Sequence, residues 1–171
     1  MRVSKRSSFV IGTTIAVLTC IALGNWQLER LDWKRDLIAR INAGFSAMPV
    51  EPSASVPEWR RVSISGIWLN KAPFFVGPVS KRGSVGWYVV SPLRSNDGSI
   101  LFVNRGFSPK KSQDLKSYGK VTKLLGVVRK PKRPGVFSPE NNPISEDWFR
   151  VSPLDFARAQ DLAGVSLFWV D

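Results

Sequence analysis

Hydrophobic positions follow two different periods along this chain. Residues 7–28 carry no charge, and 9–23 are dominated by Val, Ile, Leu, Ala and Thr. A helix of about 20 such residues spans the hydrocarbon core of a bilayer, so this stretch is predicted to be a transmembrane helix. Beyond Leu28, Leu31, Leu37, Ile38 and Ile41 recur at near-helical spacing among Glu29, Arg30, Asp32, Lys34, Arg35 and Arg40. The helix is therefore expected to continue as an amphipathic stalk. Helical periodicity ends near Gly44, and residues 48–58, with Pro49, Pro52 and Pro57, read as a loop. The expected division is residues 1–28 for the N-terminal tip and transmembrane helix, 29–47 for the stalk, and 48–171 for an extramembrane β-rich domain.

After residue 58 the period becomes that of a strand. Arg61-Val62-Ser63-Ile64-Ser65 alternates polar and apolar, as a half-buried strand requires, and 72–79, 86–93 and 99–104 are short runs rich in β-branched and aromatic residues. Between the last two, Asn96-Asp97-Gly98 supplies residues that accept positive φ, which predicts a tight antiparallel hairpin of 87–93 with 100–104. Residues 121–129 read as a further strand, 130–143 as a basic, proline-rich loop, and 148–151 as a brief strand. Ser152 offers an N-cap with Pro153 at the first helical position and Asp155 three residues past the cap; Gly164 can stop that helix near Ala163. Residues 165–170 close the series as a strand. The expected fold is α+β: an N-terminal transmembrane helix plus an antiparallel β-barrel-like or twisted-sheet domain with one short helix.

Charge and composition narrow what such a chain can do. Lys and Arg total 25 against 13 acidic residues, a net charge of +12 that favours anionic partners. Arg2, Lys5 and Arg6 precede the apolar run, so the positive-inside tendency places the N-terminus in the cytoplasm and the domain on the periplasmic or equivalent side of an inner membrane. A cleaved secretory signal is the rival reading, with Cys20-Ile21-Ala22 as a weak cleavage pattern; the length of the run favours an anchor. Val17-Leu18-Thr19 lacks the small residue expected ahead of a lipidated cysteine. Histidine is absent, which removes the commonest general base, metal ligand and haem axial ligand, and a single Cys20 excludes both an intrachain disulfide and a cysteine metal cage.

Catalytic constellations are poor. Ser108-Pro109-Lys110-Lys111 fits Ser-x-x-Lys, the arrangement of a serine hydrolase, but the companion Lys-Thr-Gly is missing. Glu146 and Asp147 are adjacent and diverge on regular backbone, which suits loop charges better than an acid–base pair. Neither an enzyme nor a metal site is expected. Lys110, Lys111, Lys130, Lys132 and Arg133 suit phosphate contacts, yet solvated loops beside an anionic membrane account for them better than nucleic acid does.

Four stretches carry a resemblance. Gly24-Asn25-Trp26-Gln27-Leu28-Glu29-Arg30 follows the apolar run; Trp59-Arg60-Arg61-Val62 with Gly66 comes next; then Gly83 with Gly86-Trp87-Tyr88-Val89-Val90-Ser91-Pro92-Leu93; and finally Gly98 with Leu101-Phe102-Val103-Asn104-Arg105-Gly106-Phe107-Ser108-Pro109. Together with Asn141-Asn142-Pro143 and Trp148-Phe149, they resemble, in order, the motifs of the surfeit-locus family of cytochrome c oxidase assembly factors. Members of that family usually have a second transmembrane helix after the domain, and residues 167–171 resemble the strand just ahead of it.

The resemblance implies a non-enzymatic factor that assists maturation of the haem-bearing catalytic subunit of cytochrome c oxidase. Its partners would be that subunit or its assembly intermediates, together with membrane lipid. No cofactor of the chain's own is expected: the histidine sometimes implicated in haem binding belongs to the region after residue 171. A generic membrane-anchored basic module for lipid or cell-wall ligands is the alternative. Six residues are the candidate partner-binding set. Trp26, Gln27 and Arg30 lie at the membrane exit, where docking against a transmembrane partner competes with interfacial anchoring. Trp33 suits the headgroup layer and packing on the domain equally. Asn104, Arg105 and Gly106 end a strand in a turn; Asn104 and Gly106 suit structural roles there. Arg105 suits either a carboxylate or propionate of a partner, or an ion pair with Glu58 or Asp97.

Overall fold

The computed structural model describes residues 5–111, 121–135 and 138–171. Arg2, the Lys5 side chain and positions 136–137 of the proline-rich loop lie outside the described residues. The chain divides into two units, Met1–Asn42 and Ala43–Asp171.

Helix α1 (Lys5–Ser46) is long and apolar enough to cross a membrane. Its hydroxyls are satisfied internally: Thr13, Thr14 and Thr19 donate to the carbonyls of Phe9, Val10 and Ile15 at 3.0, 2.9 and 2.8 Å. Such back-bonding removes the need for water along an apolar helix.

The second unit is a six-stranded sheet with one short helix: β1 (Arg61–Trp68), β2 (Phe74–Lys81), β3 (Ser84–Ser95), β4 (Ile100–Ser108), β5 (Val121–Arg129), α2 (Pro153–Gln160) and β6 (Val165–Val170). The predicted hairpin forms with Leu93 opposite Leu101 and Arg94 opposite Ile100. The strand order is β1-β5-β6-β4-β3-β2, and β1 meets β3 again from Gly66 to Trp68, so the hydrogen-bonded path returns to β1 and only β2 lies outside it. At that crossing a side chain on Gly66 would fall on the Arg94 carbonyl and the Leu93 side chain, which is why glycine stands there.

Three expectations need correction. The sheet is mixed: β6 enters between β4 and β5, antiparallel to β5 but parallel to β4. A parallel partner needs a long crossover, and the connection from β4 to β6 contains β5 and α2. Residues 148–151 form no strand; Trp148 makes one isolated bridge to Val76, while Asn142 and Asp147 exchange backbone hydrogen bonds at 2.8 and 3.0 Å. Helix α2 starts as predicted, with the Ser152 hydroxyl accepting from the Asp155 N–H, but it ends before Ala163. Asp161 adopts the left-handed conformation (φ 51°) and caps it.

The core has two parts. Val62, Ile64, Leu93, Leu101, Val103, Val128 and Val170 form one cluster; Phe74, Val76, Val90, Phe102, Trp148 and Phe156 form the other. Strand β4 serves both: Leu101 and Val103 face one cluster, Phe102 the other, which explains its unbroken apolar run. Phe156 of α2 stacks on Phe74 with ring centroids 4.0 Å apart and meets Trp148 and Phe102 edge-on at 5.0 and 5.2 Å. That aromatic nest docks the helix on the sheet.

Candidate functional site

The candidate residues form two sets, each within its own unit. On α1, Arg30 lies over the Trp26 ring at 5.6 Å, one helical turn away, and Gln27 is exposed on the same helix. Arg30 thus uses the ring at i−4 rather than Gln27 at i−3.

Midway along β4, Asn104 braces a bulge: Asn104 pairs with Val90 and Phe107 with Tyr88, so Arg105 and Gly106 together stand opposite Val89. The Asn104 Oδ1 accepts from the Gly106 N–H at 2.9 Å, and its amide donates to the Asp171 carboxylate. Gly106 sits at φ 108°, where a side chain would strain the backbone. The expected strand end and turn are not found at these residues: β4 runs on to Ser108, with Phe107 and Ser108 paired to Tyr88 and Trp87, and Asn104 and Gly106 serve a bulge within the strand instead. Arg105, between them, lies over the Trp68 ring at 4.8 Å. The carboxylates considered for it are engaged elsewhere: Glu58 pairs with Arg129, and Asp97 accepts from the Ser99 hydroxyl and N–H at 2.7 and 3.0 Å. Those two donors, the hydroxyl foremost, hold the Asp97 carboxyl below the usual carboxylate range. Trp68, Arg105, Leu124 and Leu125 with Asp171 line a depression beside the bulge.

Near this bulge, and joined to it through Asp171, stands Arg129, which the sequence pattern does not single out. Its guanidinium stacks on Trp59 at 3.9 Å and approaches Trp169 at 5.5 Å, while its N–H groups reach Glu58 at 3.4 Å and Asp171 at 3.5 Å. Asp171 thereby links Arg129 to Asn104. The faint signal was register: Arg129 ends β5 opposite Trp169, but that pairing exists only once β6 is in place.

The other candidate chemistries come apart. The Ser108 hydroxyl donates to the Lys110 carbonyl at 2.7 Å, and the Lys111 ammonium lies over Trp87 at 5.5 Å, so each is engaged away from the other. Asp147 accepts from Ser145 at 2.8 Å within its loop, and Glu146 holds a left-handed turn position (φ 55°). Among the described residues, no three Cys, Asp or Glu side chains gather as a metal site would require.

The geometry defines a small mixed-sheet domain, preceded by an apolar helix, whose cations rest on tryptophan rings. Comparison with known proteins gives this class its place. The model of the SURF1 family matches residues 14–171. A SURF1-like protein of Dictyostelium discoideum is 31% identical, the match covering 75% of this chain and 64% of the relative. Human Surfeit locus protein 1 is 30% identical over 77% of this chain and 52% of its own length. The cytochrome oxidase assembly protein SHY1 of Saccharomyces cerevisiae is 28% identical over 88% of this chain and 43% of its own. The chain belongs to the SURF1 family. It spans about half to two thirds of the length of most of these relatives.

Proposed function

We propose that this chain is a membrane-anchored assembly factor for cytochrome c oxidase, assisting maturation of the haem-bearing catalytic subunit without covalent chemistry of its own. The observation that carries this reading is the family match across 14–171, joined to a yeast relative described as a cytochrome oxidase assembly protein. The uncharged stretch of α1 suits a bilayer span, and the basic residues ahead of it favour a cytoplasmic N-terminus with the domain on the opposite side. The returning strand path supports a small barrel-like domain. Trp26, Gln27 and Arg30, and separately Asn104, Arg105 and Gly106, are the residues we assign to partner contact. With no histidine in these 171 residues, we assign them no imidazole ligand for haem.

The test is a reduced-minus-oxidised absorption spectrum of membranes from cells lacking the gene. Selective loss of the oxidase haem signal, restored by this 171-residue chain, is the expected result. An unchanged signal would overturn the assembly reading in favour of a generic anchored binding module.

A further inference from the structure

A cleft of about 630 Å³ opens between the Gly77-Pro78 bulge of β2, the 129–134 segment and residues 149–151. Cations line it: Lys130, Lys132, Arg133 and Arg150, with Arg129 at its back and no Asp or Glu among the lining residues. Arg129 is neutralised by Glu58 and Asp171. The other four differ: among the described residues, none has a carboxylate within 4.0 Å. Their charge is left for a ligand.

The cleft is built rather than incidental. Asn141 clamps one wall: its Oδ1 accepts from the Phe149 and Arg150 N–H groups at 2.9 and 3.1 Å, and its Nδ2 donates to the Arg150 carbonyl at 3.1 Å and to Asp155 at 3.0 Å. The Arg150 guanidinium spends one N–H on the Pro139 carbonyl at 3.3 Å. A guanidinium carries five donors, so several remain for a planar or tetrahedral oxyanion. The opposite character comes from Trp169, partly exposed, and from Phe149, which is 41% exposed. Cations and rings lining one cleft fit an anion that carries an apolar body. Small-ligand pockets run to about 300–1,000 Å³, so the cleft holds far more than one inorganic phosphate.

We propose that this cleft binds the phosphate headgroup of an anionic phospholipid, with Arg150, Lys130, Lys132 and Arg133 on the phosphate and the glycerol-ester region against Trp169 and Phe149. The proposal rests on the membrane reading of α1. A tethered domain meets headgroups at high effective concentration, and exposed rings suit the interfacial layer. An acidic protein segment would satisfy the cations but leave Phe149 and Trp169 unused.

The experiment titrates the full chain, in neutral detergent, with short-chain phosphatidylglycerol, and separately with short-chain phosphatidylcholine, inorganic phosphate and a hexaglutamate peptide, read by calorimetry. One saturable phosphatidylglycerol site is expected, with at least about tenfold weaker binding of phosphatidylcholine and phosphate. Arg150→Gln and the exposed Lys132→Gln are each expected to weaken it about fivefold, the typical weight of one cation beside anionic lipid. Equal binding of the two lipids would overturn the proposal. So would phosphate binding as tightly as lipid, or tighter binding of hexaglutamate, or two variants without effect. Flotation of the chain with neutral phosphatidylcholine vesicles reports α1 alone. Failure there with selective phosphatidylglycerol binding retained would sink the membrane reading and leave the cleft's ligand standing.

Discussion

Replacing Arg129 by Met tests whether the cation near the β4 bulge holds the domain together. Methionine keeps much of the stem volume and removes the charge, the planar stack and both carboxylate contacts. Side-chain exposures of 22% for Arg129, 26% for Glu58 and 39% for Asp171 place these ion pairs between the surface and buried limits. Exposed pairs contribute about 0–1 kcal/mol each, and breaking a buried one costs about 3–5. With separations of 3.4 and 3.5 Å, the two together are worth about 1–2 kcal/mol after solvent screening. The Trp59 stack at 3.9 Å adds about 1 kcal/mol. Arg129→Met should therefore destabilise the domain by about 2–3 kcal/mol, on the order of 10 °C in Tm. The assay is urea unfolding of the full chain in detergent, followed by near-UV circular dichroism, which senses Trp59 and Trp169. In 1 M salt, where the Debye length is about 3 Å, the deficit should shrink towards the stacking share. Arg129→Lys keeps the charge but loses the planar stack, and should fall about midway between wild type and Met. A deficit under about 0.5 kcal/mol would refute the reasoning, because surface substitutions commonly fall in that range.

Other elements give equally concrete expectations. Phe156→Ala should cost about 3–5 kcal/mol in denaturant unfolding, since the ring is fully buried among Phe74, Phe102 and Trp148. Gly106→Ala should cost about 1–3 kcal/mol, as the φ of 108° penalises any side chain although open space surrounds the position. Asp97, whose folded carboxyl is held below its ordinary value of 3.8, stabilises the hairpin turn above that value. This share is lost as pH falls from there through the lower, folded value. Wild type and Asp97→Asn should therefore differ most at neutral pH and converge in acid, as followed by unfolding midpoints across the pH series; a gap that widens in acid would reverse the sign.

Local chemistry made much of this fold legible. The Asn96-Asp97-Gly98 turn, the Ser152-Pro153 helix start and the alternation at 61–65 are each decided within a few residues, and each appears where the pattern put it. What escaped depends on distant pairings. Nothing near 165–170 says that β6 will lie parallel to β4. Glu58 and Trp59 from one stretch and Trp169 and Asp171 from another meet around Arg129, both far from it in sequence, so that arginine carries no local mark. The same holds at 141–150, where a stretch that reads as loop plus strand folds as a clamp on Asn141.

A chain with nearly twice as many cations as carboxylates cannot pair them all one to one, and this one also sets several on rings: Arg30 on Trp26, Arg105 on Trp68, Lys111 on Trp87, Arg129 on Trp59. A ring fixes a guanidinium through its face while its in-plane N–H edge remains directed sideways, and at Arg129 that edge reaches Glu58 and Asp171. Ring-stacking fixes Arg105 at the β4 bulge in the same manner, and the Asn104–Gly106 bond sets the backbone on which it stands. Removing Trp68 should therefore loosen Arg105 without altering its charge. If Arg105 contacts the oxidase partner, Trp68→Leu and Arg105→Gln should weaken co-purification of that partner to a similar degree, and the double variant should be little worse than either alone. Additive losses would show that Trp68 acts through the core and not through the arginine it supports.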